Sequence, residues 1–332
     1  MMKINVCPCT LAEGFETYSP AARKMLFDGK AVSHLFHGTD PASDSAESQE
    51  AFKMVGRISL SGVQPKLSAI VEEDRLRYVK PDEQGIFILK PVSMAYHLLN
   101  RHFCVANEHL TMQLAGQVYG IETAANALCF FEEGGMAYIT RRFDIDRNGG
   151  KLPQEDFAAL LGFTSAQGGS DFKYCNSSYE ECAQVIRRYV KAAPIDLLRF
   201  FRVILFNFIT LNDDAHLKNF SLLKQKGEYR LSPAYDLINT SLHLVQSRIF
   251  ALDKGLFREG MQLSDVHQVG KDDFREFGIR IGLPEKVVKR EIERFGKYYP
   301  LTDELISHSF LSDELKKTYQ LAMKYRIAML SM

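Results

Sequence analysis

The chain has 332 residues, 46% of them hydrophobic, and its 41 basic and 41 acidic side chains cancel to a formal net charge of zero. That length and apolar content suit a large core shared by about two domains or lobes, and the charge balance argues against a general nucleic-acid binder. No apolar run near Met1 has the length of a signal peptide core, and the most apolar stretch, Phe200 to Leu211, is broken by Arg202 and Asn207 and too short to span a bilayer. A buried helix in a cytoplasmic protein with no membrane partner is the expectation.

The first 55 residues read as short helical or irregular segments, with a helix opening at Pro20 and running through AARKMLF, since proline suits a first helical turn. Cys7 and Cys9 stand close together without a second pair at zinc-ligand spacing. With Cys104, Cys129, Cys175 and Cys182 they are expected to be free thiols. The small, polar and acidic stretch 38–50 predicts a loop. Strands are predicted at LSAIVEE (67–73), LRYV (76–79) and GIFILKP (85–91), each bounded by charged or turn-forming residues. Leu110, Leu114 and Val118 recur four apart and predict a helix from Asn107 to Tyr119. ANALCFFEEGGMAYITRRF reads as a hairpin turning at Glu133-Gly134-Gly135.

From about residue 153 helical patterns take over: PQEDFAALLG, SYEECAQVIRRYVKAA, PIDLLRFFRVILFNFITL and, near the end, DELKKTYQLAMKYRIAML. The predicted class is α+β, with a two-lobed protein-kinase-like fold. A β-rich N-lobe with an N-terminal extension would cover residues 1–140, and a mostly helical C-lobe residues 141–332.

The densest chemistry lies in LNDDAHLKNFSLL (211–223) and LSPAYDLINT (231–240). Phosphoryl transfer needs a carboxylate for the attacking hydroxyl, plus an amide and a second carboxylate to hold Mg²⁺ on the phosphates. Asp214 precedes Asn219 by five residues, the kinase interval between base and metal-binding amide, and Asp236 follows a strand-like segment. Asp213 competes with Asp214 for the role of base; the five-residue interval favours Asp214. Upstream, Lys90 ends an apolar strand, so its stem can pack on the sheet while its ammonium meets nucleotide phosphates. Glu108, at the start of the following helix, is its natural partner.

The string DDAHLKNFS resembles the catalytic loop of the bacterial HipA family of Ser/Thr kinase toxins, and SPAYDL resembles that family's metal-binding segment. The resemblance implies Asp214 as catalytic base and Asn219 and Asp236 as Mg²⁺ ligands, with His216 and Lys218 supporting the loop or contacting phosphate. RISLSGVQPKLS (57–68) resembles the family's phosphate loop, so Ser59, Ser61, Gly62, Val63, Gln64 and Lys66 are implied ATP contacts. Gly62 would let the backbone approach phosphates, and successive N–H groups could form an anion nest. Ser59 and Ser61 are the implied autophosphorylation sites. YITRRFD (138–144) resembles the hinge, where backbone groups of Arg141 and Phe143 would meet the adenine edge; QEDF (154–157) and FKY (172–174) match family segments with structural roles.

The phosphate loop begins near residue 59, leaving no room for the N-terminal subdomain of full-length members, as in the short HipT-like form. By resemblance the protein substrate would be an aminoacyl-tRNA synthetase, tryptophanyl or glutamyl. The partners would be a HipB-like DNA-binding antitoxin, through which DNA is met only indirectly, and a small HipS-like protein. Readings of other classes are a small-molecule phosphotransferase, a secreted effector kinase, and a degenerate kinase acting as a binding protein or co-repressor.

Overall fold

The computed structural model describes residues 3–42, 65–93, 95, 98–146, 148–164, 166, 171–246, 248–261 and 269–331. Ser59, Ser61, Gly62, Val63 and Gln64 of the expected phosphate loop, and most of the loop expected at 38–50, lie outside them. The chain divides into two compact units. One comprises Met1–Leu114, Ala124–Arg142 and Asp303–Lys316; the other comprises Ala115–Thr123, Phe143–Thr302 and Lys317–Met332. A single cut at 140/141 does not describe them, because the chain crosses between units more than once.

Among the described residues the first unit is built on six strands: β1 (Leu35–His37), β2 (Leu67–Glu72), β3 (Arg75–Tyr78), β4 (Phe87–Pro91), β5 (Asn126–Phe131) and β6 (Met136–Arg141). They close into a barrel in the order β1-β3-β2-β4-β6-β5. The β2–β3, β2–β4, β4–β6 and β5–β6 pairs are antiparallel, and β1 closes the ring by running parallel to both β3 and β5. Alternation directs Leu67 and Ala69 of β2, with Phe87 and Leu89 of β4, into a core shared with Phe36, Phe131 and Ile139. The β5–β6 hairpin turns where expected: Gly134 has φ +100°, and a side chain on Gly135 would collide with the Asp40 carboxylate.

Helix α1 (Pro20–Phe27) has Ser19 as its N-cap, accepting the Ala22 N–H at 3.2 Å, and buries Ala22, Leu26 and Phe27. The helix expected over Asn107–Tyr119 begins earlier, as α2 (Cys104–Gln113), and continues as a π turn over Leu114–Val118. Every residue of α2 is buried, so the apolar stripe at four-residue spacing is only part of its buried surface. From the 303–316 segment, Phe310 packs on Phe130 with ring centroids 5.5 Å apart, and His308 reaches Leu11 O at 3.0 Å and Glu13 at 2.9 Å.

His109 on α2 is fully buried with Nε2 2.9 Å from Cys9 O, so Nε2 carries the proton; Nδ1 has no partner among the described residues. Burial pushes its pKa down to about 4. The unfolded chain takes up this proton near pH 6.5 while the folded chain refuses it until about 4, so stability is lost as pH falls through that window. The limiting loss is about 3 kcal/mol. A His109→Asn variant is expected to show a shallower fall in Tm between pH 7 and pH 4.5; identical slopes for the two proteins would contradict the assignment.

In the second unit, α3 (Phe157–Leu160), α4 (Tyr179–Tyr189), α5 (Ala193–Ile209), α6 (Lys271–Arg280) and α7 (Glu285–Phe295) accompany a three-stranded sheet. α8 (Pro300–His308) and α9 (Asp313–Ser331) follow, most of α8 and the start of α9 belonging to the first unit. The segment expected to be wholly helical at PQEDFAALLG divides. Gln154–Asp156 form β7, paired with β8 (Ser221–Gln225), which pairs in turn with β9 (Glu228–Leu231). Asp156 then caps the short α3 by accepting the Ala159 N–H at 2.9 Å. α5 is the buried helix expected from its apolar run: Phe200 packs on Phe157, Tyr179 and Phe220, and Phe208 on Phe250 and Phe274. Among the described residues no helix is long and apolar enough to cross a membrane, and the six cysteines are free. The mixed helix and strand content matches the α+β expectation.

Candidate active site

The loop after α5 is held at both ends. Thr210 Oγ1 donates to Phe206 O at 2.8 Å, and Leu211 turns the chain at φ +52°. Asn212 then folds back on the helix, its N–H on Asn207 O at 2.9 Å and its Nδ2 on Asn207 Oδ1 at 3.0 Å. The polar interruption of the apolar run at Asn207 is therefore an anchor for the loop.

The two neighbouring aspartates face different partners. Asp213 Oδ2 accepts the Arg248 N–H at 2.6 Å, and its own N–H donates to Thr240 Oγ1 at 3.2 Å. Burial raises its pKa. Its carboxylate is committed to tying two loops together. The Asp214 side chain is 47% exposed, and its Oδ1 accepts from the Tyr174 hydroxyl at 2.5 Å. Sequence reasoning gave Tyr174 only a structural role; forty residues separate it from Asp214, and no local pattern links them.

Asn219 Nδ2 donates to Asp214 O at 2.8 Å, which fixes the amide and makes Oδ1 the atom a hard cation would use. His216 donates its N–H to the same carbonyl at 2.7 Å. Its ring is buried, and burial pushes its pKa down to about 4, so the 3.9 Å approach of Nε2 to Asp214 Oδ1 is not an ion pair at neutral pH. Lys218 extends over Phe172, with Nζ 3.8 Å from Asp156 Oδ2.

Asp236 sits at φ +55°, in the left-handed region that non-glycine residues seldom adopt. It follows a parallel bridge between Thr123 and Ala234 and a tyrosine, Tyr235, whose hydroxyl donates to Lys218 O at 2.9 Å. That bond ties the segment to the catalytic-type loop. Asn219 and Asp236 line one cavity of about 230 Å³. Among the described residues no cluster of three or more His, Cys, Asp or Glu is arranged for a metal. One carboxylate and one amide oxygen fit Mg²⁺, which takes one or two protein ligands and completes its shell with phosphates and water.

In the first unit, Lys90 Nζ donates to Glu108 Oε1 at 2.6 Å, with both side chains 5% exposed. The ammonium also lies 5.3 Å from the centroid of the Tyr138 ring. Arg141 turns its guanidinium to Asp28 at 2.8 Å and gives its N–H to Ala125 O at 2.8 Å, so that amide is spent within the sheet. Lys66 is exposed. In the second unit, the Phe143 ring lies 5.5 Å from that of Tyr235. The geometry thus joins Lys90 to Glu108 in one unit, and Asp214, His216 and Asn219 to one another in the second, where Asp236 shares a cavity with Asn219.

A family model for the HipA-like C-terminal domain matches residues 58–299. A protein of Haemophilus influenzae that carries a kinase name is 28% identical over 296 residues, 83% of this chain and 82% of its own length. The serine/threonine-protein kinase toxin HipA of Shewanella oneidensis is 24% identical over 266 residues, covering 74% of this chain and 56% of that protein. Among solved structures, a complex of HipA, HipB and operator DNA from Shewanella oneidensis MR-1 gives a TM-score of 0.62 at 22% identity. The match covers 81% of this chain and 64% of that one, so the chain spans less than two thirds of its structural neighbour.

Proposed function

The chain belongs to the HipA-like C-terminal domain family, and on that premise we propose that it is an ATP- and Mg²⁺-dependent Ser/Thr protein kinase with the two-lobed kinase fold. The supporting observation is the division of labour in the loop after α5: Asp213 is committed to Arg248, while Asp214 presents a half-exposed carboxylate beside an amide held in place.

In this reading Asp214 accepts the hydrogen bond of the attacking serine or threonine hydroxyl and takes its proton as the oxygen bonds to the γ-phosphorus. The bond to the β-phosphate oxygen breaks, and ADP leaves. Asn219 and Asp236 would hold Mg²⁺, which would supply charge neutralisation on the phosphates. Tyr174 holds the Asp214 carboxylate in one rotamer, and neutral His216 braces the loop without competing for that carboxylate. Lys90, oriented by Glu108, serves the α- and β-phosphates. Lys66, Lys218 and the loop carrying Ser59, Ser61, Gly62, Val63 and Gln64 contact the remaining phosphate oxygens, and the adenine edge meets the backbone at Phe143 and the carbonyl of Arg141, the Arg141 N–H being committed to Ala125. Phosphorylation of Ser59 or Ser61 would place about two negative charges where ATP phosphates must lie, and so lower nucleotide affinity.

The proposed biological role is that of a cytoplasmic toxin. Its substrate would be an aminoacyl-tRNA synthetase, tryptophanyl or glutamyl, and its partners a HipB-like antitoxin and a small HipS-like protein. A HipB-like partner is supported by the presence of HipB and operator DNA in the solved complex of the related HipA.

Incubation with Mg²⁺ and γ-labelled ATP in a bacterial extract tests the reading. Label is expected in one substrate band and in the protein itself, on serine or threonine, and to disappear with EDTA. Turnover of ATP stimulated by a metabolite, with no phosphoprotein, would replace it with a small-molecule phosphotransferase.

A further inference from the structure

The cavity lined by Asn219 and Asp236 is also lined by Arg199 and Arg202, which phosphoryl transfer does not use. These two arginines lie three residues apart on α5, and Ile121, Val203 and Leu231 supply apolar wall beside them. Charge around them is out of balance. Glu291, only 1% exposed, accepts from Arg202 Nε at 2.9 Å and Nη2 at 2.8 Å, and from Arg290 Nη2 at 3.1 Å. Arg294 Nε stands 3.5 Å from the same carboxylate. Alongside, Arg199 pairs with Asp196 at 2.7 Å and Glu122 at 2.8 Å, and Arg230 shares Glu122 at 3.0 Å. Five arginines (199, 202, 230, 290 and 294) therefore meet three carboxylates (Asp196, Glu122 and Glu291), and with Asp236 on the same cavity wall counted as a fourth, one positive charge is still in excess. Among the described residues, Nη1 of Arg202 has no hydrogen-bond acceptor.

The surroundings are already braced. Tyr119 stacks on Phe295 with centroids 4.8 Å apart, and Arg294 donates to Tyr119 O, one residue before Gly120 on the cavity wall. At about 230 Å³ the cavity is smaller than the roughly 300–1,000 Å³ usual for drug-sized ligands, which limits the occupant to about one ring with a head group.

We infer that this cavity is a binding site for a small organic anion, a carboxylate or phosphate monoester on a compact apolar body, whose occupancy tunes cation affinity at Asn219 and Asp236. The coupling part rests on the metal-binding reading above; the binding part does not. The route is short: the anion competes with Glu122 for Arg199, and Glu122 O accepts the Ala234 N–H at 2.8 Å, two residues before Asp236.

Calorimetry on the full chain without nucleotide tests binding, with benzoate and phenyl phosphate as anionic probes and benzamide as the neutral isostere. One saturable site is expected for at least one anion, at least about tenfold tighter than for benzamide, one such hydrogen-bonded charge being worth about that factor. The preferred anion separates carboxylate from phosphate ligands. Arg202→Met is expected to weaken that binding at least about tenfold; Arg290 and Arg294 still neutralise Glu291, so the fold is retained. Val203→Phe fills the cavity without changing charge and should also abolish binding. Equal affinity for benzamide, unchanged binding in both variants, or no heat from either anion at millimolar concentration would overturn the site. Mg²⁺ titrations with and without the bound anion test coupling, and the same factor must appear in the anion's affinity with and without Mg²⁺. A factor of one overturns the tuning. In Asp236→Asn the anion should still bind while coupling is lost, so failure of the metal reading leaves the anion result standing.

Discussion

Asp214→Asn is expected to cut phosphoryl transfer by about 10²–10⁴-fold, the range carried by a positioned general base, with little change in ATP affinity or melting temperature. Asparagine keeps the shape and can still accept the Tyr174 hydroxyl, so the loop retains that restraint. The neighbouring Asp213→Asn is the informative control. Its partners are the Arg248 N–H and Thr240, and an amide oxygen can still accept from the former, so most activity should survive. The opposite pattern, an inert Asp213 variant and an active Asp214 variant, would move the base by one residue. Tyr174→Phe sharpens the test: loss of one hydrogen bond to the carboxylate should lower kcat about tenfold with KM for ATP unchanged.

Glu108→Ala is expected to be the most destabilising single change in the first unit. Both members of the Lys90–Glu108 pair are buried, and removing the carboxylate breaks a buried ion pair, at a cost of about 3–5 kcal/mol. The fall in Tm should be roughly 10 °C for a chain of this size. The double variant Lys90→Met/Glu108→Leu should recover most of that stability, because apolar side chains of similar volume replace a buried pair at little cost. It should nevertheless remain inactive, since no ammonium is left for the phosphates. Thermal unfolding followed by circular dichroism reads both. A Glu108→Ala protein melting within a degree or two of wild type would show that the pair is not buried in solution.

Local signals in the sequence carried much of this architecture. The run from Pro194 to Leu211 predicted α5 because its aromatic and aliphatic residues recur all around a helix. The Gly134-Gly135 turn predicted the β5–β6 hairpin because only glycine meets its steric demands. What stayed hidden depended on distant partners. β1 has three residues and exists through parallel pairing with β3 and β5, which no local alternation announces. Gln154–Asp156 looked helical because its pairing with Ser221–Leu223 lies more than sixty residues away. At the candidate site, spacing singled out Asp214, Asn219 and Asp236, whereas the Tyr174 contact and the Arg202–Glu291 pair arise only from tertiary folding.

The segment Asp303–Lys316 belongs with the first unit although it follows the last barrel strand by more than 150 residues. During vectorial synthesis the barrel strands leave the ribosome long before Phe310 and His308 can cover Phe130 and Leu11. An early product ending before residue 303 would expose those apolar positions. Premature termination before residue 303 should therefore yield a protein prone to aggregation and proteolysis, not a trimmed but working one.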